Sequence, residues 1–205
     1  MVDKESLRED LLSLDPKEFY MKHIVKSHNW YFSDYLHYPQ NELVDKMDKF
    51  KEIVSTMLKI NFHNVQIVGS AKVGFSLSPS KLFSPFHDER PDMLSSDIDI
   101  AIISEPLYKK FWDELRQVKK IRYKQVYYNH LTDSIFRGYI NEKDLLMVDD
   151  MCSEWEKMIS PINVALQDTL GFVHPITYRI YRSWEDLEEY QLIGIKKAKK
   201  HLEEH

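Results

Sequence analysis

Two short runs decide how this chain folds: Val65-Gln66-Ile67-Val68-Gly69-Ser70 and Ser96-Asp97-Ile98-Asp99-Ile100-Ala101-Ile102-Ile103. The first reads as a β-branched strand stopped by a Gly-Ser turn. The second opens with two aspartates and continues as an apolar strand. Side chains two residues apart on a strand share a face. Asp97 and Asp99 therefore stand side by side, while Ile98, Ile100 and Ile102 turn the other way into a core. Carboxylates this close repel and raise one another's pKa unless a cation neutralises them. Hard divalent cations take oxygen ligands, commonly one or two carboxylates together with substrate phosphates. Asp97 and Asp99 are thus candidate ligands for Mg²⁺ or Mn²⁺. Read alone, the pair is also compatible with a turn residue followed by an exposed strand residue.

Outward from these strands the chain reads as helical. Asp15-Pro16 is a helix start, with Asp as N-cap and Pro in the first turn, and Tyr38-Pro39 ends the segment, so one helix is expected to about His37. A second runs from about Asn41 to Leu58, with Leu43, Val44, Met47, Phe50, Ile53, Val54 and Met57 in one apolar stripe. Between the strands lies a long connection, Ala71 to Ser96, rich in Ser and Pro at its centre; loops of this length are often functional. Helices are expected over Glu105–Lys120, over Ser153–Leu170 with a break near Pro161, and over Ser183–Leu202, with a strand over Pro175–Tyr181. Arg122 to Met151 remains open between strand and loop. The pattern is an α+β domain with a small mixed sheet flanked by helices: a helical extension over 1–40, a core over 41–120 and the remaining sheet and C-terminal helix over 121–205.

Composition narrows the function classes. The chain has 205 residues, 43% hydrophobic and 30% charged, the mix of an ordinary folded domain. A net charge of −5 argues against a grip on long duplex DNA, which needs a basic surface. Cys152 is the lone cysteine, so no internal disulfide is expected. The charged N-terminus lacks the apolar core of a signal peptide, and no stretch approaches the length of a membrane helix. A cytoplasmic protein is expected.

A Gly-Ser turn lets backbone amides and a hydroxyl approach a phosphate, and Lys72 just beyond it supplies a positive charge. Taken in order, the apolar strand, Gly69-Ser70, the spacer and Ser96-Asp97-Ile98-Asp99 before an apolar strand resemble the DNA polymerase beta-like nucleotidyltransferase superfamily, in its small bacterial-type members. Lys72 and Gly74 are similar, more loosely, to the Lys-Gly element of oligoadenylate-type synthases. The resemblance covers roughly Leu43 to Lys120. It implies a sheet of the nucleotidyltransferase type. It also implies that Gly69 and Ser70 cradle the phosphates of a nucleoside triphosphate and that Asp97 and Asp99 hold two Mg²⁺ ions. The reaction implied is transfer of a nucleoside monophosphate to a hydroxyl of a nucleotide, an RNA end or a protein.

Two features depart from the family. The spacer from Ser70 to Asp97 is longer than usual, and the late strand Ile176-Thr177-Tyr178-Arg179-Ile180-Tyr181 lacks the third carboxylate that the family places there. Glu185 and Asp186 just beyond it are the candidate catalytic acids, and the first turn of a helix is their other reading. Asp144, Asp149 and Asp150 are further candidates. Without a third acid, a catalytically degenerate nucleotide- or partner-binding protein is the alternative function.

Weaker signals complete the reading. His87, Asp88 and Asp92 lie in the loop without metal-ligand spacing. Arg179 and Arg182, alternating with Tyr178 and Tyr181, suit a base, a phosphate or a solvated sheet face. Tyr127, Tyr128 and His130 suit a base pocket or core packing. The lysines from Lys196 to Lys200 form the one basic patch, most simply a solvated helix end. No phosphate-binding P-loop motif is present, and Cys152, with Glu154 nearby, has no evident His base.

Overall fold

In a computed structural model of the chain, which describes residues 3–87, 95–118, 132 and 134–204, the two deciding runs are neighbouring strands. β1 (Val65–Val68) pairs antiparallel with β2 (Ile98–Ile103), Val68 opposite Asp99. β4 (Ile176–Tyr181) pairs parallel with β2, Thr177 opposite Asp99, and β3 (Tyr139–Asn141) closes the order β1-β2-β4-β3 antiparallel to β4.

Strand alternation sets the two faces as read. On one face Ile98, Ile100 and Ile102 are fully buried with Val65, Ile67, Tyr178 and Ile180. They pack against α3 (Leu43–Leu58), α5 (Glu105–Val118) and α7 (Asp149–Leu170) through Phe50, Phe111 and Trp155. The other face carries Val68, Ala101, Ile103, Tyr139 and Tyr181, covered by Leu187 and Tyr190 of α8 (Trp184–Glu204). Further along, α8 buries Ile195 and Ala198 against Leu7 and Leu11 of α1 (Lys4–Ser13) and against Phe19. One long helix thus ties the N-terminal segment to the sheet.

Local signals hold where the chain's own chemistry decides. Asp15 caps α2 (Pro16–Phe19) by accepting from Lys17 N, and Glu18 returns to the Asp15 N–H. Ser183 accepts from Asp186 N at the start of α8. Three expectations change. The single helix to His37 is replaced by α2 and two π-helical turns, Tyr20–Val25 and Tyr31–Tyr35. The widened turns accompany full burial of two successive rings, Tyr31 and Phe32. α7 runs unbroken through Pro161, because buried Ile159 and Ile162 anchor both sides of it. On α3, Val44 and Met57 are exposed; Leu43, Phe50, Val54 and Leu58 carry the buried stripe.

The described part of the long connection is built into the core. It contains α4 (Ser70–Val73), a 3-10 turn at Pro79–Lys81 and a bridge between Phe75 and Pro85. Phe83 packs with the N-terminal helices, and Phe86 packs among Trp30, Tyr31, Tyr35 and His174. A clasp closes its base: His87 N donates to Ser96 Oγ, and Ser96 N donates to His87 O. A short helix, α6 (Glu142–Leu145), follows β3. No helix among the described residues is long and apolar enough to cross a membrane.

Candidate functional site

The Gly-Ser turn and the aspartate pair meet at one end of the sheet. β1 ends at Val68, and Gly69 turns the chain with φ +67° and ψ −150°, a conformation essentially reserved for glycine. The reason for glycine is visible in the neighbour: a Cβ on Gly69 would stand 2.5 Å from Oδ2 of Asp99. The strand register brings this about, since Asp99 is the partner of Val68. Ser70 follows as the first residue of α4.

Asp99 is half-buried, and its other oxygen, Oδ1, accepts the Thr177 hydroxyl at 3.0 Å. Burial is the main cause that raises its pKa, and the neighbouring Asp97 raises it further; Arg179, the Thr177 hydrogen bond and Lys81 act the other way. Asp97 stands one residue before β2 begins, half-buried as well. Two carboxylates thus share a site in which the buried charge of Asp99 is costly. Paired oxygen donors of this kind fit one hard divalent cation whose remaining positions are filled by phosphate or water. On β4, the same-face positions beside Asp99 are held by Thr177 and then Arg179, so no third carboxylate bridges to a second ion there. Among the described residues, no group of three or more His, Cys, Asp or Glu converges on a metal position.

Arg179 is fixed from several sides. Its Nε donates to Asn141 Oδ1 at 2.7 Å, across the β3–β4 pair. Its guanidinium lies 4.5 Å from the Tyr190 ring centroid and 5.5 Å from that of Tyr139. Tyr178 is not part of this group. It faces the core, where its hydroxyl donates to Asn163. Lys81, exposed on the 3-10 turn, adds a second positive charge acting on Asp99.

The other candidates are placed as follows. Lys72 is buried, and its ammonium donates to the carbonyls of Ser27 (2.6 Å) and His28 (3.2 Å), in the link that follows the first π-helical segment. Burial pulls its pKa down to about 8. Asp186 lies past the far end of β4, where it accepts from Arg182 Nε (2.9 Å), Arg182 Nη2 (2.8 Å) and the Ser183 hydroxyl. Tyr181 is four residue steps along β4 from Thr177, about 13 Å at the usual rise. The structure therefore does not bring Asp186, or Glu185 beside it in the first turn of α8, to Asp97 and Asp99. Arg182 is at that far end too. Asp144 is buried in α6, and Asp149 and Asp150 are exposed in the first turn of α7. Lys199 donates to the Leu14 carbonyl, and Lys196, Lys197 and Lys200 are exposed along α8. Asp88, Asp92, Tyr127, Tyr128 and His130 lie outside the described residues.

Sequence reasoning missed Thr177, Asn141, Tyr190 and Lys81 as neighbours of the acids. Thr177 was findable only by knowing that β4 pairs with β2, and Lys81 carries no motif at all. Comparison with protein-family models, with curated proteins and with solved structures finds no match.

Proposed function

We propose that this chain is a divalent-cation-dependent nucleotidyltransferase, with a sheet of the nucleotidyltransferase type and a cytoplasmic setting. The observation that carries the reading is the close approach of Gly69, in the Gly69-Ser70 turn, to Asp99 of the Asp97/Asp99 pair, on neighbouring antiparallel strands. In this reading Gly69 and Ser70 hold the phosphate chain of a nucleoside triphosphate, with Asp97 and Asp99 holding Mg²⁺ or Mn²⁺ beside it. A cation bound there supplies positive charge next to the reacting phosphorus. The acceptor hydroxyl oxygen bonds to the α-phosphorus, the bond to the β-phosphate oxygen breaks, pyrophosphate leaves with that electron pair, and the acceptor proton passes to solvent. The protein's share is positioning and charge compensation.

The second reading is a nucleotide- or partner-binding protein without turnover. Thr177 and Arg179 beside Asp99, where the family places a third acid, favour it. One experiment separates the two. The protein is incubated with each common nucleoside triphosphate and Mg²⁺ or Mn²⁺, and pyrophosphate release is compared with that of Asp97→Ala/Asp99→Ala. Release that needs the aspartates supports the transferase. Nucleotide-dependent thermal stabilisation without release supports the binder, and neither response removes both.

A further inference from the structure

Arg179 has no ion-pair partner among the described residues, although it is half-buried on the same sheet face as Asp99. Other described arginines show the contrast: Arg182 is paired bidentately with Asp186, and Arg116 lies beside Asp113. A partly buried guanidinium ordinarily needs a partner for its charge. Here the described surroundings hold it in place, and Asp99, on the same face, acts on its charge without a direct ion pair. Asn141 takes the Nε–H, the Tyr190 and Tyr139 rings flank the plane, and the buried Tyr181 hydroxyl lies next to it. A planar fork held this way, with no direct ion pair among the described residues, suits a bidentate oxyanion. Asp99, the described acid acting on it, is one of the pair proposed to hold a cation, and that cation would itself bring phosphate oxygens.

We propose that Arg179 is the phosphate-receiving residue of this site, its guanidinium taking oxygens of the triphosphate chain beside the cation held by Asp97 and Asp99. This rests on the nucleotide reading above and adds to it a specific residue. Arg179 stands two residues along β4 from Thr177, so a fixed positive charge occupies the side of Asp99 from which a third carboxylate is missing. The site then compensates phosphate charge with one ion and one guanidinium.

The test is titration calorimetry with inorganic tripolyphosphate in Mg²⁺, a probe that does not depend on base preference, followed by each of the four common nucleoside triphosphates. The proteins are wild type, Arg179→Gln, Arg179→Lys, Asn141→Ala and Asp97→Asn/Asp99→Asn, each checked for a cooperative unfolding transition. Arg179→Gln is expected to weaken tripolyphosphate binding about 10- to 100-fold. Arg179→Lys, which keeps the charge without the fork, is expected to recover part of that loss. Asn141→Ala is expected to weaken binding by a smaller factor. If Arg179→Gln does not fold, the Lys and Asn141 variants decide, and wild-type affinity in both overturns the proposal. Wild-type affinity in Arg179→Gln, with loss of the Mg²⁺-dependent part in the Asp97/Asp99 variant, also overturns the role of Arg179 and leaves the nucleotide reading standing. No binding of tripolyphosphate or any triphosphate by wild type removes both.

Discussion

The carboxylate of Asp99 lies against the bare Cα of Gly69, with 2.5 Å between its Oδ2 and the place a Cβ would occupy. The contact joins the two motifs of the chain, so Gly69→Ala tests it directly. Alanine at φ +67° and ψ −150° is strained by about 1–3 kcal/mol from the backbone alone, and its methyl group displaces Asp99. The expected outcome is destabilisation of at least that size in urea unfolding, together with loss of cation- or nucleotide-dependent stabilisation. Unchanged stability would mean that the turn is not packed on Asp99.

Asp99 itself is expected to oppose folding when no cation is bound. Burial and Asp97 raise its pKa above the ordinary 3.8, so between 3.8 and that raised value the folded protein binds more protons than the unfolded chain. Stability falls with rising pH across that window, and the cost is fully present above it. Asp99→Asn is therefore expected to be more stable than wild type at pH 7 in chelator, while retaining an acceptor for Thr177. Adding Mg²⁺ or Mn²⁺ is expected to stabilise wild type and leave the variant unchanged. Unfolding curves from pH 4 to 8, with and without the cation, check both parts.

Lys72 predicts a slope of opposite sign at high pH. Its pKa falls from 10.5 in the open chain to about 8 in the fold. Between those values the unfolded state binds more protons, so the contribution of Lys72 to stability rises with pH, by about 3 kcal/mol across the window. The neutral amine still has hydrogens for the Ser27 and His28 carbonyls. The stability difference between wild type and Lys72→Met is expected to widen in favour of wild type from pH 8 to 10. A constant difference would contradict the burial of this ammonium.

Pro161 sits exposed in the interior of α7. It has no N–H for the carbonyl of Lys157, four residues back. Pro161→Ala is expected to stabilise the protein by about 1–3 kcal/mol, read from the midpoint of denaturant unfolding. A loss of stability would indicate that the proline shapes the helix against α3.

What could be read without the fold was whatever neighbouring residues decide among themselves. The alternation in 98–103 placed three isoleucines in the core, Asp15 and Ser183 marked helix starts, and Gly69-Ser70 marked the turn; each depends on side-chain period, a cap or a dihedral demand. Pro161 and the segment from Asp15 to His37 were misread because packing of distant rings and aliphatic side chains overrode local preference. The composition of the candidate site was beyond local reading. Nothing in the order of residues says that β4 lies parallel against β2, yet that pairing sets Thr177 and Arg179 beside Asp99 and leaves Asp186 at the opposite end. Strand order follows from burying faces contributed by segments about 80 residues apart, Asp99 and Thr177 being one such pair, and only the assembled core selects it.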